Sequence, residues 1–247
     1  MKRIPACLSA TWLFALFLAL PLGACQAQET NTQSTASGYS TKSAAPGGTG
    51  KVYMGREIAA IMTTTGGSWL DRDTRQEEEN SALTIKNMGL QPNSVVADIG
   101  AGTGFYTFQI APKVPEGKVY AVEVQDRFIS SLKERQKKLG AANVEVVKGG
   151  SQSINLPDNS VDIALMVDVY HELEHPREML QAIRKALKPD GKLLLLEYRA
   201  EDPDVRIRAL HKMSAAQVQK ELEANGFQLQ RREDFLPIQH FLLFEKK

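Results

Sequence analysis

The segment Val95-Val96-Ala97-Asp98-Ile99-Gly100-Ala101-Gly102-Thr103-Gly104 sets three glycines directly after a short apolar run. Glycine permits positive φ and close approach of a ligand to the backbone, and a helix starting here offers free N–H groups. That is the chemistry of a nucleotide cradle. A dinucleotide fingerprint needs Gly-x-Gly-x-x-Gly, but Phe105 stands where its third glycine would fall, which disfavours a pyrophosphate. Glu123 lies 23 residues beyond Gly100, at the end of a second apolar run. A carboxylate there can accept hydrogen bonds from both hydroxyls of a ribose.

A second constellation, His171-Glu172-Leu173-Glu174-His175, matches His-Glu-x-x-His. On a helix it would put two imidazoles on one face as zinc ligands, with Glu172 as general base. Pro176 follows at once and suits the first turn of a helix, so the pentapeptide is expected in a loop. No third ligand is evident, and no metal is expected.

The elements that must position these residues alternate between strand and helix. Strands are expected at 95–99, 118–124, 144–147, 161–167 and 192–197, and helices at 104–111, 126–139 and 176–187. Gly140 stops the second of these helices. Ser214 caps a further helix that ends near Asn225, and 227–231 with 239–244 form a hairpin. Strands separated by helices imply a doubly wound, Rossmann-like, mostly parallel sheet with helices on both faces. Upstream, apolar positions from Val52 to Met62 fall at helical spacing and predict a helical cap segment over 51–80.

The chain has 247 residues, 43% hydrophobic and 24% charged, which fits one α/β domain and excludes a mostly disordered chain. Without residues 1–24 the formal charge is −1, which does not suit a nucleic-acid partner. Both cysteines, Cys7 and Cys25, lie in the first 25 residues, so the folded part has no disulfide and no thiolate nucleophile.

Lys2 and Arg3, an apolar run over 10–20 and small residues at Gly23 and Ala24 follow the order of a secretory signal peptide. Leu22-Gly23-Ala24-Cys25 resembles a bacterial lipobox, which implies lipidation of Cys25 and an exported, membrane-anchored envelope protein. Residues 25–50, rich in Ser, Thr, Gln and Gly, read as a flexible tether. The expected organisation is a signal at 1–24, the tether, the cap segment at 51–80 and the main domain at 81–247.

Asp98 through Gly104, Glu123, Leu156-Pro157-Asp158-Asn159-Ser160-Val161-Asp162 and Leu187-Lys188-Pro189-Asp190-Gly191 resemble the successive motifs of class I S-adenosylmethionine-dependent methyltransferases. The resemblance spans about two thirds of the chain, from about Ser81, and is closest to the small-molecule branch that includes quinone-ring methylases. It implies a seven-stranded sheet and S-adenosylmethionine as methyl donor. Gly100, Gly102 and Gly104 would line the donor's methionine and ribose with Asp98 nearby, Glu123 would hold the ribose diol, and Val124 or Gln125 would flank the adenine. Where the family often has Gly-Asp-Ala after the third strand, this chain has Gly149-Gly150-Ser151, leaving Ser151 for the adenine contact. The loop holding Asp168, Tyr170 and His171 would lie beside the donor methyl, with His171 as the base if one is used.

The acceptor implied is a small or membrane-associated molecule. Segments 52–70 and 198–213 are placed to cover the pocket. An exported protein would meet this donor outside the cytosol where it is made, so a non-catalytic nucleoside-binding module is the second reading. A zinc hydrolase working through His171 and His175 is the third.

Overall fold

Along the central strands, apolar side chains of successive residues enter two different cores. Leu193, Leu195, Leu242 and Phe244 join one, and Leu194, Leu196, Phe241 and Leu243 the other. A strand buried on both faces is a continuous apolar run, which is how Leu193–Leu196 reads. A computed structural model describes residues 38–247. The proposed signal at 1–24 and Cys25 lie outside the described residues.

The seven-stranded sheet contains β4 (Val95–Ile99), β5 (Lys118–Glu123), β6 (Val144–Lys148), β7 (Val161–Val167), β8 (Leu187–Tyr198), β9 (Phe227–Glu233) and β10 (Gln239–Lys246). Their order is β6-β5-β4-β7-β8-β10-β9; β4 to β8 run parallel, and β10 is antiparallel to both β8 and β9. The chain winds outward from β4 to β6 and returns to β7 on the other side of β4. The topological switch point therefore lies between β4 and β7, and open α/β sheets bind ligands outside the carboxyl ends of their strands at such a point.

Between the strands lie α4 (Thr107–Ile110), α5 (Asp126–Leu139), α6 (Pro176–Ala186) and α7 (Ala215–Ala224). The α5 helix buries Phe128, Ile129 and Leu132, and Gly140 stops it in the left-handed region at φ 61°. Ser214 caps α7, its hydroxyl accepting from the Gln217 N–H at 3.1 Å. The helix expected over 104–111 is only α4, one turn continued by a 3-10 turn at Ala111–Lys113, because the glycine loop extends through 104.

Upstream the structure departs from the sequence expectation. Residues 52–59 are not helical: β1 (Tyr39–Thr41), β2 (Gly48–Tyr53) and β3 (Arg56–Ala59) form an antiparallel sheet that reaches back into the supposed tether. The turn Met54-Gly55 has φ of 49° and 97°, the mirror-image geometry of a two-residue hairpin. This sheet is docked, since the Tyr39 hydroxyl donates to Glu178 at 2.6 Å. Short helices follow: α1 (Gly67–Leu70), α2 (Arg75–Glu79) and α3 (Ser81–Asn87).

Candidate active site

The glycine loop leaves β4 at Gly100, whose N–H donates to the Val122 carbonyl at 2.8 Å. A Cβ at Gly100 would stand 2.6 Å from the Val169 side chain across the switch point. One at Gly102, where φ is 55°, would meet Leu70 at 2.8 Å. Leu70 thus closes the loop from above. Residues 62–70 form that cover, with Gln125 Nε2 donating to the Met62 carbonyl at 3.0 Å and Phe128 packed on Gly67.

Glu123 is buried at the end of β5 and binds three backbone N–H groups. Oε2 accepts from Gly102 at 2.9 Å, and Oε1 from Val124 at 2.7 Å and Gln125 at 2.9 Å. The carboxylate thus clips the glycine loop to the next strand. Gly149 reaches the same place through its N–H to the Glu123 carbonyl at 2.9 Å, while Ser151 is exposed on the loop beyond.

Asp98 points to the α4 side of the sheet and accepts from the Thr107 hydroxyl at 2.5 Å. Burial raises its carboxyl pKa to about 6; Thr107 and Arg75 oppose the rise and Glu123 adds to it. Across the switch point Asp168 adopts φ 53°. Its N–H donates to the Leu196 carbonyl at 2.8 Å, and its Oδ2 accepts from Gln239 Nε2 at 2.7 Å. Burial, with Glu79 and Glu197 nearby, holds the Asp168 carboxyl well above the usual range. Its Oδ1 is buried without a hydrogen-bond partner, as is Gln239 Oε1. An orphaned buried acceptor of this kind fits a donor group on a ligand.

His171 sits in a 3-10 turn, Tyr170–Glu172, and Leu173 beyond it is extended. The His-Glu-x-x-His segment is therefore not a helix, and its two imidazoles part. His175 Nδ1 is 3.1 Å from Lys51 Nζ, whereas His171 Nδ1 donates to buried Glu197 at 2.6 Å. The segment lies in a loop as expected, and a zinc site shared by His171 and His175, the third reading, does not form. Tyr170 is fully buried, and its hydroxyl donates to Glu221 at 2.8 Å, which Arg56 also grips through two nitrogens at 2.9 and 3.0 Å. Tyr170 contributes to the site through its backbone, its N–H holding Glu197 at 2.8 Å.

Sequence reasoning missed Glu197, Glu79, Arg75 and Gln239. Glu197 carried a readable signal, a lone acid ending the run Leu193–Leu196. Arg75 lies buried, stacked 4.2 Å over Phe105, and joins the cover to the core by donating to the Leu70 carbonyl at 2.7 Å and to Glu79 at 2.9 Å. Of the two segments expected to cover the pocket, the first does so through 62–70, with Trp69 half exposed beneath Arg72. The second brings His211 to within 3.1 Å of His171.

A family model described as a methyltransferase domain matches residues 90–238. The ubiquinone/menaquinone biosynthesis C-methyltransferase of Ectopseudomonas mendocina is 32% identical over 118 residues, 47% of this chain and 46% of that protein. Its counterpart in Salmonella arizonae is 29% identical over 118 residues. The chain thus spans about half the length of these curated relatives. Among solved structures, a SAM-dependent methyltransferase from Aquifex aeolicus is 30% identical with a TM-score of 0.71, over 74% of this chain and 98% of that one. The PH0226 protein from Pyrococcus horikoshii, at 18% identity and a TM-score of 0.59 over 70% of this chain and 90% of that one, shares the fold.

Proposed function

The chain belongs to the methyltransferase-domain family, and we propose that it transfers a methyl group from S-adenosylmethionine to a small-molecule acceptor at the bacterial envelope. The observation that carries this reading is the glycine loop at the switch point, clipped by Glu123 and flanked by buried carboxylates. S-adenosylmethionine supplies an electrophilic methyl on a sulfonium cation. Asp98, Glu123 and the orphaned Oδ1 of Asp168 suit a cationic ligand, which would offset their crowding.

What the protein adds is alignment and exclusion of water. Fixing two reactants in line can supply about 7–11 kcal/mol of the barrier. The cover formed by Leu70 and Arg75 would close the donor side. A base is needed only where the acceptor must lose a proton, and typically adds 10²–10⁴-fold. His171 would serve as that base: Glu197 at Nδ1 orients the ring, and Nε2 faces His211 Nδ1 at 3.1 Å.

The relatives act in quinone biosynthesis by their names, and a ring-bearing lipophilic acceptor fits a lipid-anchored enzyme. Anchoring would come from Cys25; each acyl methylene buried contributes about 0.8 kcal/mol. Among the described residues no helix is long and apolar enough to cross a membrane.

The test incubates the full chain with S-adenosylmethionine carrying a labelled methyl group and an envelope extract. Label appearing in an extractable small molecule, and lost with Asp168→Ala, is expected. Donor binding without transfer to any fraction would favour the binding-module reading. Cys25→Ser should release the protein from membranes; retention would remove the anchor from the account.

A further inference from the structure

Three electron-pair donors from two separate loops converge beside β8. His171 Nε2 lies 3.1 Å from His211 Nδ1. Glu172 Oε1 stands 3.4 Å from the His211 nitrogen and 3.8 Å from that of His171. The three atoms form a triangle, each within 4.8 Å of the others. Around a tetrahedral zinc ion, with ligands at about 2.0–2.1 Å, neighbouring ligand atoms stand about 3.3 Å apart. The observed edges bracket that spacing.

The surroundings are built for ligation as well. Glu197, fully buried, accepts from His171 Nδ1 at 2.6 Å and is itself held by the Tyr170 N–H at 2.8 Å. A hydrogen bond at Nδ1 fixes the tautomer and leaves the lone pair on Nε2, the arrangement that carboxylates give to metal-bound histidines. The site also opens to water on one side. The His211 side chain is 22% exposed, against 12% for Glu172 and 2% for His171.

We propose that His171, Glu172 and His211 bind one divalent transition-metal ion of the zinc type, with the fourth coordination position open on the His211 side. Two imidazoles and one carboxylate select such an ion over magnesium or calcium, which take oxygen ligands. This is not the site that the His-Glu-x-x-His spacing suggests: His175 is replaced by His211, 40 residues after His171. An open position can take water or an ionisable acceptor oxygen, and the ion would act there as a Lewis acid. The site stands independently of the donor reading; its part in methyl transfer rests on it. A bound ion occupies the Nε2 lone pair, so His171 then holds the ion rather than a proton.

The test is a titration of the metal-stripped full chain with cobalt(II), without methyl donor, followed by visible absorption, with zinc competition to obtain its affinity. One ion per chain, micromolar or tighter, is expected. His211→Ala and Glu172→Gln should each weaken it about tenfold or more, and Glu197→Gln by about 10–100-fold with all three ligands in place. His175→Ala should leave it unchanged. No stoichiometric uptake, equal affinity in the His211 and Glu172 variants, or loss on His175→Ala would overturn the proposal. Thermal unfolding of each variant reports that it is folded. Donor binding is measured separately, so either reading can fail alone.

Discussion

The backbone N–H of Gly102 donates to Oε2 of Glu123 at 2.9 Å, joining the turn after β4 to the end of β5. Because the other Glu123 oxygen holds the Val124 and Gln125 N–H groups, one carboxylate sets both the loop and the start of α5. Glu123→Ala should therefore weaken S-adenosylmethionine binding by about 1–3 kcal/mol and also lower stability by a similar amount, since three N–H groups lose a charged acceptor. Calorimetry and thermal unfolding read the two effects. Unchanged affinity in a folded variant would take Glu123 out of the site.

Asp98 sets a pH dependence. Its carboxyl pKa is about 6 in the folded chain, against about 3.9 when unfolded. The folded state thus holds the proton more tightly. The group costs stability above pH 6, and that cost disappears as pH falls from about 6 to about 4. Asp98→Asn keeps an acceptor for Thr107 and removes the charge. It should be more stable than the parent by roughly 1–3 kcal/mol at pH 7.5, with the gap closing near pH 4. Denaturant melts at both pH values would contradict this if the gap were absent or reversed.

Gly102 faces Leu70, so two penalties should add when it gains a methyl group. Its φ of 55° strains any other residue, and the new Cβ would stand 2.8 Å from Leu70. Gly102→Ala should cost about 1–3 kcal/mol of stability. Combining it with Leu70→Ala should cost less than the sum of the two single changes, because the clash is then gone. Strict additivity in this double-mutant cycle would place Leu70 away from the loop.

Arg56 supports the site from beneath. It grips Glu221, which is fully buried and also receives the Tyr170 hydroxyl. Arg56→Ala strands that charge and should cost about 3–5 kcal/mol, whereas Arg56→Met with Glu221→Leu should recover most of the loss. A small effect of the single change would show Glu221 reaching water instead.

The parts of the fold visible in sequence are those in which local signals agree. The runs at 95–99 and 161–167 are apolar throughout most of their length and lie in the middle of the sheet, and they form β4 and β7 at those bounds. The α5 helix is readable to its end because Gly140 stops it. The hairpin of β2 and β3 is hidden because its turn is Met54-Gly55, and methionine does not advertise positive φ as asparagine does. Its apolar residues match a helical period by accident. The donor loop and Glu123 are legible as a strand-turn-acid pattern. The convergence of His211 on His171 is not: nothing local in residues 198–213 tells where that segment folds back, and only the tertiary fold brings them together.

The central claim, a donor pocket at the switch point, is tested most directly by calorimetric titration of the full chain with S-adenosylmethionine and with S-adenosylhomocysteine. Micromolar binding of both at one site per chain is expected, weakened by about 1–3 kcal/mol in Glu123→Ala. Absence of heat with either ligand, in a sample whose thermal unfolding shows it folded, would contradict it and leave the glycine loop as scaffold alone.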